Sequence, residues 1–131
     1  MNTLLRTTCV ALLLMAGAAI PAEPQPRFPT SKITAEQWKQ YLAEVLAMPG
    51  IERKDSARQI TLTDARTSTI YAFTQDANPA HPGVVVRTLV VGPTGADIKR
   101  VGYFAGDPAI FEKWWHEFDA LDARVRSEAA K

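Results

Sequence analysis

The chain has 131 residues, 15 Lys and Arg against 14 Asp and Glu, and one cysteine. A near-zero net charge with no block of one sign gives no electrostatic support for nucleic acid or an anionic membrane as partner. One cysteine excludes an intramolecular disulfide framework, so the fold must rest on its core.

The chain opens as a secretory signal peptide reads. Arg6 is the only charge among residues 1–22, an apolar run follows from Val10 to Ala19, and small residues lead to Ala22. The run is about half of the ~20 residues that a bilayer-spanning helix needs. Cleavage after Ala22 is expected, leaving no integral membrane segment and a periplasmic or secreted chain. Cys9 precedes the apolar run, so it is not placed as a lipoprotein cysteine, and the mature chain is expected to be thiol-free. The organisation is then residues 1–22 signal peptide, 23–32 a proline-rich lead-in without packed structure, and 33–131 one domain.

Thr34 and Gln37 form a capping box, and Ile33 with Trp38 a hydrophobic staple. Trp38, Tyr41, Leu42, Val45 and Leu46 recur on one helical face until Pro49 and Gly50 end it. Residues 51–57 read as a mixed connection. Residues 58–63 alternate with Ile60 and Leu62 on one side, Asp64 to Thr67 is a turn, and residues 68–74 are a second strand. Two prolines and a glycine make 75–83 a loop. The valine-rich 84–91 is a third strand, Gly92 to Gly95 a turn, and 97–104 a fourth, with a bulge expected near Lys99 or Gly102. Asp107 caps a last helix with Pro108 at its first position, and Phe111, Trp114, Phe118, Leu121 and Val125 form its stripe.

The order α-β-β-β-β-α predicts a single two-layer α+β domain. Its four-stranded antiparallel sheet has one face covered by an N-terminal and a C-terminal helix, and the other face can stay wet.

Three surfaces are candidate sites. Asp76, Asn78 and His81 lie in the stiff loop, where a histidine beside a carboxylate suits general-base chemistry. The bland reading is a turn held by Asp and Asn side chains. Glu112 and His116 are helical neighbours, but two histidines in the chain and the absence of a ligand motif predict no metal and no cofactor. Trp115, Tyr71 and Arg87 are large side chains that the apolar stripes do not absorb, and aromatics with arginine suit protein recognition. No nucleophile motif is present. The sequence therefore points to a non-catalytic protein-binding module of inhibitor, immunity or envelope-accessory type. A small-ligand carrier is the alternative, and an enzyme centred on His81 the third reading.

Overall fold

The computed structural model describes residues 26–129. The leader, its cleavage position and Cys9 lie outside the described residues. The elements are α1 (Ala35–Leu46), β1 (Glu52–Asp55), β2 (Gln59–Asp64), β3 (Thr69–Thr74), β4 (Gly83–Gly92), β5 (Gly95–Phe104), α2 (Pro108–His116) and α3 (Asp119–Ala129). The domain is α+β with an antiparallel sheet, as the sequence implies. The sheet has five strands rather than four, in the order β1-β2-β3-β4-β5, and the first helix begins at Ala35 rather than at the chain's start.

α1 starts where its capping box places it. Thr34 Oγ1 accepts from Gln37 N at 3.0 Å, and Gln37 Oε1 accepts from Thr34 N at 2.9 Å. That reciprocal pair satisfies two donors that a helix start leaves open. Gly50, at φ +77°, supplies the left-handed turn after the helix.

The sheet is a meander in which each strand pairs with the next. In register, Ile60, Phe73, Val84 and Tyr103 form one row across β2 to β5. Trp38, Tyr41 and Val45 of α1 pack on that row, and Leu62 joins them. Side chains alternate between faces along a strand. The neighbouring row, Ala72, Val85 and Gly102, therefore faces the opposite way. Phe111, Trp114 and Phe118 cover Ala72 and Val85 there. The expectation that both helices share one face is thus corrected: the sheet lies between α1 on one side and α2 with α3 on the other. The small residues of the second row make room for aromatic rings. A Cβ at Gly102 would lie 2.7 Å from the Phe111 ring and 2.8 Å from Trp115.

Four further expectations change. The lead-in packs as early as Phe28, which is buried edge-on against Tyr41 and Tyr103. Ser31 and Ile33 also bond the outer backbone groups of Phe104. Burial of one more aromatic ring is what holds this polar, proline-rich stretch. The bulge in β5 is absent, because β4 and β5 pair without interruption from Gly83↔Phe104 to Gly92↔Gly95. The last residues of β4 and the first of β5 extend past β3 as a two-stranded arm. The connection 51–57 contains β1, an edge strand. The last helix breaks at Glu117 and Phe118, whose N–H groups bond back three residues to Trp114 and Trp115. After the break Asp122 points inward, and Leu121, expected in the stripe, is exposed.

Both sheet edges are guarded. β1 is the run Glu52, Arg53, Lys54, Asp55, all exposed, and charge on an edge discourages pairing with another chain. On β5, Asp97 Oδ1 takes the Ile98 N–H at 2.8 Å, and the lead-in takes Phe104.

Candidate functional site

The third row on the α2–α3 face runs Thr63, Ile70, Arg87, Arg100. It sets two arginines directly opposite each other on neighbouring strands, a like-charge pair that destabilises a sheet by itself. Asp122 of α3 resolves the conflict. Its Oδ1 accepts from Arg87 Nε at 2.6 Å, and its Oδ2 accepts from Arg100 Nη1 at 2.9 Å. Arg100 Nη2 reaches on to Asp119 Oδ1 at 2.6 Å. The arginine side chains are 11% and 13% exposed and that of Asp122 is 3% exposed, so solvent screens this network little. Arg87 lies 5.6 Å from the Phe118 ring centroid and Arg100 4.3 Å from that of Trp115, distances at which a ring face attracts a cation. Arg100 Nε is buried without a hydrogen-bond partner among the described residues. The Arg100 guanidinium, followed by His116, holds the Asp119 carboxyl below its ordinary range.

Beside this network is a groove of about 220 Å³, lined by Thr63, Ser68, Ile70, Arg87, Leu89, Ile98 and Val125. Ile70, Leu89, Ile98 and Val125 give it an aliphatic wall beside Thr63, Ser68 and Arg87. Two exposed apolar residues are register neighbours of its lining. Val91, 74% exposed, follows Leu89 on the same sheet face along the arm. Leu121, 43% exposed, lies one turn before Val125 on α3. A cavity of about 150 Å³ holds one benzene, so the groove suits an aliphatic side chain better than a cofactor.

The His81 loop sits at the opposite end of β4. Thr74 Oγ1 accepts from Gly83 N at 2.9 Å and lies 2.7 Å from His81 Nδ1. His81 Nε2 in turn lies 3.2 Å from Asp76 Oδ1. Trp38 stands edge-on to the imidazole at 4.9 Å and donates its indole N–H to Gly83 O at 2.8 Å. The Thr74 hydroxyl is buried, while the His81 side chain is 25% exposed and Asp76 stands in solvent. Asn78 serves the turn: its Oδ1 accepts from Ala80 N at 2.9 Å, while its Nδ2 is buried without a partner among the described residues. The constellation braces the β3–β4 connection against α1.

A second, more open groove of about 480 Å³ is lined by Ser31, Gly102, Phe104, Pro108, Phe111, Glu112, Trp115 and His116. His116 is exposed, 3.9 Å from Glu112 and 3.0 Å from Asp119. Among the described residues no group of three or more His, Cys, Asp or Glu is placed to hold a metal ion.

The six residues singled out in the sequence fall in four places. Arg87 lines the aliphatic groove. His81, Asp76 and Asn78 stay together in the far loop. Trp115 is half-buried in the second groove beneath Arg100, and Tyr71 packs under α1 against Tyr41 at 6.2 Å. Sequence reasoning missed Arg100, Asp122, Ile70, Leu89, Ile98 and Val125. One signal was available for the first: a two-residue turn between Gly92 and Gly95 sets Arg87 opposite Arg100 by counting alone. Among the described residues no helix is long and apolar enough to cross a membrane. Comparison of the chain with family models, with curated proteins and with solved structures returns no match in any of the three.

Proposed function

We propose that the chain is an exported, non-catalytic protein-binding module and that the aliphatic groove between α3 and the sheet is its docking surface. The single observation that carries the reading is the groove with its exposed neighbours: Ile70, Leu89, Ile98 and Val125 line it, and Val91 and Leu121 are exposed register neighbours of that lining. Apolar side chains contiguous on one face mark interaction surfaces, whereas isolated ones do not. The volume supports a partner's side chain rather than the cargo of a carrier. The guarded strand edges favour docking on a face over strand addition. Export rests on the pattern of residues 1–22.

The test compares surface variants as bait in the source cell envelope. Val91→Asp and Leu121→Asp place a charge beside the groove's lining. Val101→Asp places one on an exposed position of the other sheet face, as a control. The expected result is one stoichiometric partner held by the wild type and by Val101→Asp, and held at least about tenfold more weakly by the other two, equivalent to about 1.4 kcal/mol. Equal capture by all four chains overturns the groove as the docking surface. No partner for the wild type overturns the binding reading.

A further inference from the structure

We propose that α3 is a detachable cover, and that the sheet face beneath it receives an acidic amphipathic helix of the partner, for which α3 is the internal stand-in. This rests on the protein-binding reading and on the sheet side of the groove alone: Leu121 leaves with α3, so capture weakened by Val91→Asp and not by Leu121→Asp is the pattern the cover predicts. α2 is anchored by the buried rings of Phe111 and Trp114. In α3, by contrast, the one buried residue among Asp119 to Glu128 is Asp122; Val125 is half-buried and the rest are exposed. A helix of 11 residues is marginal without packing, and elements with few buried apolar contacts are the ones that open locally.

The attachment is polar, and its receptor half stays in place when α3 leaves. Arg87 and Arg100 belong to the sheet. The rings stacked on them, Phe118 and Trp115, lie before α3 begins. Side chains held by stacking keep their direction, so the exposed face presents two guanidiniums to a carboxylate. α3 itself shows the chemistry that fits: a carboxylate at Asp122 for the arginines and an aliphatic group at Val125 for the groove, three residues apart on one helical face. It is an imperfect occupant, because about 220 Å³ beside Val125 stays open. A helix with the same carboxylate and a longer aliphatic side chain three residues on fills that space and competes with α3.

Two measurements on the purified protein test this. In hydrogen exchange, the amides of α3 are expected to exchange at least about 100-fold faster than those of β3 and β4. Exchange as slow as in those strands overturns the cover. In a titration by fluorescence anisotropy, the probe is a labelled synthetic copy of Asp119–Ala129 carrying Val125→Leu. Weakening the internal occupant raises the fraction of protein competent to bind. The Asp122→Asn protein is therefore expected to bind the probe at least about tenfold tighter than the wild type. Adding Asp122→Asn to the probe is expected to abolish the gain. Binding indifferent to the carboxylate in both chains overturns the proposal. Capture that still depends on Val91 and Leu121, with α3 exchanging slowly, leaves the docking groove standing and removes only the cover.

Discussion

Asp122→Ala is the change that most directly interrogates the structure. It removes the one carboxylate that two largely buried guanidiniums share and leaves Arg87 and Arg100 opposite each other in a like-charge pair. Deleting one partner of a buried ion pair costs about 3–5 kcal/mol, because the remaining charge is desolvated and unmatched. The loss has a ceiling: once it exceeds the free energy with which α3 is docked, α3 leaves and the arginines rehydrate. For a domain of about 100 residues this corresponds to a fall in Tm on the order of 12–20 °C. Urea unfolding followed by tryptophan emission measures it, with Trp114 and Trp115 beside the network. If α3 has left, the native state already exposes more surface, so the slope m is expected to fall as well. A companion variant, Arg87→Met with Arg100→Met and Asp122→Leu, replaces the whole network by apolar groups and is expected to return to within about 1 kcal/mol of the wild type. A cost below about 1 kcal/mol for Asp122→Ala alone refutes the view that this contact holds α3.

Gly102→Ala is expected to cost about 1–3 kcal/mol in thermal unfolding, because its Cβ meets the Phe111 and Trp115 rings at 2.7 and 2.8 Å and both rings must shift; an unchanged Tm contradicts the close approach. Val91→Asp, exposed on the arm, is expected to change stability by less than about 0.5 kcal/mol while weakening partner capture, which separates a binding role from a folding one. Acidification is expected to destabilise the fold below about pH 4. Burial of Asp64 works to raise its pKa but is outweighed by bonds from the Arg66 side chain and backbone and from Thr67. Arg126 and the Ile98 N–H lower that of Asp97, and Arg100 and His116 lower that of Asp119. All three are depressed relative to the unfolded chain, near 3.9. Their stabilisation is thus complete above that value and is lost as pH falls through the folded values. A Tm that rises between pH 5 and pH 3 contradicts this sign.

What the sequence reveals follows from where local chemistry decides. Thr34 with Gln37 and Asp107 with Pro108 act within one turn, and both helix starts lie where those residues place them. Ile60, Leu62, Tyr71 and Phe73 reveal the strands by alternation. β1 escapes because Glu52 to Asp55 are charged on both faces: an edge strand protected by charge has no apolar period to detect. Periodicity also names the apolar residues without saying which side of the sheet each helix takes. The available clue was β4, whose unbroken run Val84, Val85, Val86 has no polar face, as suits a strand covered on both sides. The candidate groove was hidden for a different reason. Ile70, Leu89, Ile98 and Val125 come from four elements and meet only through register, and Asp122 sits in a helix where a carboxylate ordinarily faces water.

The ion network also determines what the surface shows. An apolar cluster at Arg87, Arg100 and Asp122 holds two elements together as well as charges do, or better, so stability alone does not account for the arrangement. Direction does. Successive residues of a helix project about 100° apart, so the rotation that turns Asp122 onto the two guanidiniums turns Leu121 away from the core. A carboxylate satisfied by donors from both arginines has far fewer acceptable orientations than an aliphatic group, because hydrogen bonds weaken steeply off their axes. The break at Glu117 and Phe118 frees α3 from the phase of α2 and lets it take that one rotation. Leu121 then reaches solvent one turn before Val125, the residue of α3 that lines the groove. Replacing the network by Met, Met and Leu removes the directional constraint while keeping the burial. Stability and surface are therefore separable: the triple variant is expected to keep the fold and lose the fixed outward direction of Leu121, which a rise in the solvent protection of Leu121 would reveal.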